Sequence, residues 1–137
     1  MAATLNQLLK EMTDQGASDL HLTTNSPPQI RIDGKLHPLN HPPLTPTETK
    51  KLCYSILTDK QKQRLEEILE IDLSFGIKGL ARFRANIFHQ RGALAAAFRQ
   101  IPYEIRGFRE LGLPQIVEKL CEKPRGLVLV TGPTGSG

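Results

Sequence analysis

Leu5, Leu8, Leu9 and Met12 recur at the i, i+3, i+4, i+7 spacing of a helix with one apolar stripe, and Thr4 with Gln7 supplies a capping box at its start. Gly16 offers a stop. The period then changes to two: residues 19–23 alternate as Asp-Leu-His-Leu-Thr, Ser26-Pro27-Pro28 interrupts, and residues 29–32 alternate again. Asp33-Gly34 joins that run to Lys35-Leu36-His37 as a two-residue hairpin, because both turn positions need positive φ and this pair tolerates it. Pro38, Pro42, Pro43 and Pro46 each remove a backbone donor, so residues 38–45 read as a loop.

Thr45-Pro46-Thr47-Glu48 carries an N-cap, a first-position proline and a capping-box glutamate, and predicts a helix that buries Leu52, Ile56 and Leu57. Thr58 with Gln61 opens another, expected to bury Leu65, Ile68 and Leu69. From Ile71 the period is again two, through Leu73 and Phe75, with a turn expected over residues 76–79. Residues 81–89 form the longest strand candidate. Phe83, Ala85 and Ile87 share one face, with Arg82, Arg84, Asn86 and Phe88 on the other. After a turn at Gln90-Arg91-Gly92, residues 93–100 place Leu94, Ala96 and Phe98 on one face and Ala95, Ala97 and Arg99 on the other. If the two strands pair with their apolar faces together, Arg84 and Arg99 emerge on the same side of the sheet.

Pro114 starts a short helix with Ile116, Val117 and Leu120 as its buried face, and Leu127-Val128-Leu129-Val130 reads as a parallel strand buried on both faces. The fold class is therefore α+β for residues 1–101, an antiparallel sheet flanked by helices. A linker follows over 102–110, and 111–137 opens an α/β domain. The length of 137 residues agrees with one full domain and part of a second. With 39% hydrophobic and 23% charged residues, the chain lies outside the disordered regime. No apolar run approaches the roughly 18–20 residues of a membrane helix, and the N-terminus lacks a secretory pattern, so the expected location is the cytoplasm. Cys53 and Cys121 are far apart, without zinc-ligand spacing, and read as ordinary buried thiols; no metal ligands are assigned.

The net charge of +4 is uneven: residues 1–70 carry net −1 and residues 71–137 net +5. Lys78, Arg82, Arg84, Arg91, Arg99, Arg106 and Arg109 stand against the single acid Glu104. Such a run fits a solvated sheet face, a nucleic-acid surface or an anion clamp of guanidinium forks. The absence of Trp and an aromatic content of 5% argue against nucleic acid, which needs stacking platforms. Asp19 and His21 share a strand face without a nucleophile or metal partner near in sequence, which favours a structural or interface role. His37, His41 and His89 are scattered singles. Glu66, Glu67, Glu70 and Asp72 read as a solvated helix end or a surface for a basic partner.

The apolar run at 127–130 leads into Thr131-Gly132-Pro133-Thr134-Gly135-Ser136-Gly137, the opening of G-x-x-x-x-G-K-[ST]. In that motif backbone N–H groups and a helix N-terminus converge on phosphate. Glycine spacing alone also fits a flexible tail or a tight turn. The lysine and hydroxyl residue of the motif are not in this sequence.

Together, Ser18-Asp19-Leu20-His21-Leu22, Pro28-Gln29-Ile30-Arg31-Ile32-Asp33-Gly34-Lys35-Leu36, Asp72-Leu73-Ser74-Phe75, Arg82-Phe83-Arg84, Glu110-Leu111-Gly112-Leu113-Pro114 and the run from Pro124 to Gly137 closely resemble the type II/IV secretion ATPase superfamily, in its pilus-retraction branch. The resemblance implies a PAS-like N-terminal domain over 1–101 followed by a RecA-like ATPase domain, in a hexameric ring powering pilus retraction and twitching motility. It implies ATP and Mg2+ as ligands of the whole motor, and an inner-membrane platform protein as partner, with the ring peripheral to that membrane. It implies γ-phosphate contacts from Arg84 and Arg99, and phosphate binding by Gly132, Pro133, Thr134, Gly135, Ser136 and Gly137. The other readings are a non-enzymatic PAS-like interaction or sensing module and a related secretion ATPase. A glycine loop without its lysine and following helix lacks its main charge and its dipole end. The 137-residue polypeptide alone is therefore expected not to hydrolyse ATP. Phosphate release above buffer background from the purified chain would contradict this.

Overall fold

Local signals start each of the first three helices. In the computed structural model, which describes residues 3–103 and 105–132, Thr4, Thr45 and Thr58 each accept a hydrogen bond from the N3 amide and donate one through their own backbone N–H to the oxygen of the N3 side chain. They open α1 (Leu5–Asp14), α2 (Pro46–Tyr54) and α3 (Asp59–Ile68). Between and after them lie β1 (Asp19–Leu22), β2 (Gln29–Ile32), β3 (Lys35–Pro38), β4 (Glu70–Ile77), β5 (Ala81–Gln90) and β6 (Ala93–Ile101). The six strands form one antiparallel sheet in the order β3-β2-β1-β6-β5-β4. Two meanders are thus joined at the centre by the first strand and the last.

Both tight hairpins use the left-handed backbone that the sheet's twist favours. Asp33 and Gly34 have φ of 48° and 78°, and Arg91 and Gly92 have 52° and 78°. Leu5, Leu8, Leu9 and Met12 of α1 join Leu20, Ile30, Phe83, Ile87, Phe98 and their neighbours in a single buried cluster. Phe75 stacks on Phe83 at 5.7 Å between ring centres and meets Phe98 edge-on at 6.3 Å. The α+β architecture read from the sequence is the one observed.

Several details differ from expectation. The buried face of α2 is Thr49, Leu52 and Cys53, one turn earlier than expected; Ile56 lies past the helix end and is half-buried, while Leu57 is buried from the connecting loop. Of the three residues expected to anchor α3, Leu65 alone is buried; Ile68 and Leu69 are 57% and 53% exposed. The helix ends with Leu69 in the left-handed conformation, φ 68°, which turns the chain into β4 before another apolar turn could reach the core. β4 also runs on through Ile77, pairing Gly76 with Arg82 and Ile77 with Ala81, so the turn is shorter than residues 76–79. Burial pushes the Cys53 thiol up to about 12, an inert group, but Cys121 is exposed.

The chain divides into two compact units, Met1–Pro102 and Tyr103–Gly137. In the second, α4 (Gln115–Cys121) follows Pro114 as expected but buries none of its residues, Ile116, Val117 and Leu120 included. Residues 127–130 form no strand and are 58–93% exposed. A parallel strand depends on neighbours for its ladder and for cover on both faces, and residues 105–132 contain no other strand to supply them. Among the described residues no helix is long and apolar enough to cross a membrane.

Because Leu65 is the sole buried side chain of α3, Leu65→Ala is expected to cost about 2–5 kcal/mol. Ile68→Ala should stay within about 0.5 kcal/mol of the parent. Urea denaturation of the two variants checks the contrast.

Candidate functional site

Residues directly opposite one another in a ladder present their side chains to the same face. Register therefore builds the site. Arg84 of β5 lies opposite Arg99 of β6, Arg99 opposite Asp19 of β1, and Asp19 opposite Arg31 of β2. Ser74 of β4 extends the same line on the other side, opposite Arg84. One transverse rung thus reads Ser74, Arg84, Arg99, Asp19, Arg31 across five strands, on the face away from the aromatic core. The adjoining rung reads Asp72, Asn86, Ala97, His21, Gln29. The strand periodicity that placed Arg84 and Arg99 on one side of one hairpin is borne out.

Two guanidinium groups directly opposite each other repel, and each is held by a different carboxylate on the far side. Arg99 Nε donates to Asp19 Oδ1 at 3.0 Å. Asp19 is 8% exposed, takes a second hydrogen bond from the Ser18 hydroxyl at 2.7 Å, and lies 3.7 Å from Arg31 Nε. Burial alone would raise its carboxyl, but the Ser18 and Arg99 hydrogen bonds and the positive charge of Arg99 outweigh this and hold it below the ordinary carboxylate value. Arg84 instead reaches Asp72, with Nε and Nη2 each 3.4 Å from a carboxylate oxygen. The Asp72 side chain is 52% exposed. Asp19, Asp72, Arg84, Asn86, Ala97 and Arg99 line a shallow depression of about 270 Å³. Such a surface offers an anion guanidinium forks from two directions.

Asp72 and Glu70 are therefore not part of a helix end. Both lie in β4, where Glu70 accepts from Asn86 Nδ2 at 2.9 Å; Glu66, still on α3, accepts from the Tyr54 hydroxyl at 2.7 Å. Arg82 stands one position outside the rung pair, 3.4 Å from Ser74 Oγ, and Arg91 sits in the β5–β6 turn. His41 joins Glu11 of α1 at 3.0 Å and ties the proline-rich loop down. His21 Nε2 is buried without a hydrogen-bond partner among the described residues. Burial, with the nearby charges of Arg31 and Arg99, lowers the affinity of this imidazole for a proton, and Asp19 only partly offsets them.

Of the glycine-loop residues, Gly132 is described and exposed; Pro133, Thr134, Gly135, Ser136 and Gly137 lie outside the described residues. No group of three or more His, Cys, Asp or Glu side chains among the described residues is arranged to hold a metal ion. No chemical step is assigned to a metal ion here. Sequence reasoning named Arg84 and Arg99 but missed the roles of Asp19, Arg31 and Asp72. The shared face was legible for each within its own strand, but the registers that bring them beside the arginines were not.

The sequence matches the profile of the family described as "Type II/IV secretion system protein" over residues 1–137. It is 47% identical over 97% of its length to the type IV pilus retractation ATPase PilT of Pseudomonas aeruginosa, and spans 39% of that protein. It is 42% identical over 80% of its length to a twitching motility protein of Neisseria gonorrhoeae, spanning 29% of it. The crystal structure of the pilus retraction motor PilT with bound ADP superimposes with a TM-score of 0.79 at 51% identity, covering 99% of this chain and 40% of that one.

His21 and Asp19 set the sign of the pH dependence. The folded state binds a proton at His21 less readily than the unfolded chain, whose value is near 6.5, so this contribution to stability is complete above that pH and is lost as pH falls below it. Asp19 acts lower: its contribution is present above its unfolded value of 3.8 and is lost as pH falls through the folded one. His21→Gln should therefore flatten the loss of unfolding free energy between about pH 7 and about pH 5. Urea midpoints that fall equally in parent and variant would refute the assignment.

Proposed function

This chain belongs to the type II/IV secretion system protein family, and we propose that it is the N-terminal portion of a ring-forming ATPase that drives type IV pilus retraction. In this reading residues 1–101 are a PAS-like domain, 102–110 a linker and 111–137 the start of the RecA-like ATPase domain. Gly132 to Gly137 form the first part of a loop that cradles ATP phosphates, and Arg84 and Arg99 meet the γ-phosphate. Magnesium would be bound by residues outside this sequence. The complete motor is a hexamer, works in the cytoplasm against the inner membrane, and engages a platform protein there.

The observation that carries the reading is the placement of Arg84 and Arg99 opposite each other on one rung, on rigid paired strands. Charge in phosphoryl transfer spreads over the equatorial oxygens, so catalysis depends on positioned cations rather than on covalent chemistry. An arginine suits this task because its guanidinium is always charged and presents parallel donors. Fixing two such groups on neighbouring strands limits the reorganisation needed when phosphate arrives. The names of the relatives, a pilus retraction ATPase and a twitching motility protein, support the assignment of that work to pilus withdrawal.

In the complete ATPase polypeptide, Arg84→Ala and Arg99→Ala are each expected to reduce turnover by about 10³-fold, the lower end of what an arginine finger contributes. Turnover is followed by phosphate release and ring assembly by size-exclusion chromatography. Unchanged turnover in an assembled ring would remove the arginines from the mechanism.

A further inference from the structure

We propose that Asp72 is a latch on Arg84, and that the arginine pair closes on a phosphoryl group by Arg84 leaving Asp72 while Arg99 remains on Asp19. The inference rests on the reading of Arg84 and Arg99 given above and adds the regulation of that site. It follows from a difference between the two ion pairs.

Arg84 and Arg99 stand opposite each other but are drawn toward opposite sides of the sheet, Arg84 diagonally toward Asp72 of β4 on the adjoining rung and Arg99 toward Asp19 of β1 on their own. Bringing both forks onto one anion requires at least one to let go. Release of Arg99 would strand a carboxylate whose side chain is 11% exposed, leaving it the Ser18 hydroxyl and an arginine 3.7 Å away. Removing one partner from a buried ion pair is strongly unfavourable, because the remaining charge cannot be rehydrated. Release of Arg84 leaves a carboxylate whose side chain is 52% exposed and which water can solvate at once. The contacts point the same way: a single hydrogen bond of 3.0 Å fixes Arg99 through Nε, whereas Arg84 is held at 3.4 Å through both Nε and Nη2. Only Nε of Arg99 is hydrogen-bonded to Asp19, which leaves the donors of its terminal nitrogens uncommitted to that carboxylate. The Asp72 contact occupies one of the two bidentate edges of the Arg84 guanidinium, the Nε–Nη2 edge, and so competes with an oxyanion for it.

The two carboxylates therefore act in opposite senses. Asp19 is a positioning residue: it orients Arg99 and remains in place when anion binds. Asp72 competes with an anion for Arg84, so of the two arginines Arg99 is held ready and Arg84 is held in reserve. A phosphoryl group, with more charge and more acceptor oxygens than a carboxylate, wins that exchange when it arrives between the two strands.

Opposite signs make the test direct. In the assembled ATPase, Asp72→Asn should raise kcat/KM for ATP by about two- to fivefold, the range that an exposed ion pair is worth. Asp19→Asn should lower it. In an Arg84→Ala background the gain from Asp72→Asn should disappear, because there is nothing left to unlatch. An unchanged or lower kcat/KM in Asp72→Asn, with Arg84→Ala still impaired, would overturn the latch alone. If Arg84→Ala itself turned over ATP normally, the phosphate-contacting role of the arginine would fall first. Asp72 is on the surface, and thermal melting with ring assembly confirms that its variant is folded before kinetics are compared.

Discussion

The pairing of β1 with β6 is the constraint on which the rest of the N-terminal unit depends. It joins two meanders, each too small to cover its own apolar face, into one sheet with a continuous core. It sets Leu20 against Phe98 on the buried side and Asp19 against Arg99 on the other. A slip of one residue would exchange those faces, burying a guanidinium and exposing a phenyl ring. The apolar face thus enforces the electrostatic one: the hydrophobic match fixes a register in which the carboxylate and the guanidinium meet.

What was legible in the sequence follows the distance over which each feature is decided. The three capped helices, the Asp33-Gly34 hairpin and the β5–β6 hairpin rest on contacts between near neighbours, and all were readable. The Arg84–Arg99 rung belongs to this class because one turn fixes its register. Asp19 meets Arg99 across 80 positions, and no local pattern encodes that meeting. Asp72 was obscured differently. Its run of acidic neighbours suggested a helix end, although the alternation of Ile71, Leu73 and Phe75 already placed it on the polar side of a strand.

The misreadings share a cause. Ile68 and Leu69 continue the helical period in sequence, but the left-handed backbone at Leu69 ends the helix before the period can act. Residues 127–130 have the composition of a buried strand, yet apolar content specifies a wish for burial and not the partner that provides it. Burial is a property of two surfaces, and a one-dimensional pattern describes only one of them. The glycine loop beyond that run stands apart, since its reading rests on motif and relationship.

The central strand pair also has a consequence in time. β1 is complete by Leu22, but its second partner begins only at Ala93. Closing so long a loop costs entropy before any ladder bond can offset it, which slows assembly of sheets rich in distant contacts. During synthesis from the N-terminus, β1 waits with one edge unpaired while α2, α3 and the β4–β5 hairpin emerge. Arg99 becomes available to Asp19 only when the last strand docks, so the site is absent from every earlier intermediate and its completion coincides with closure of the sheet.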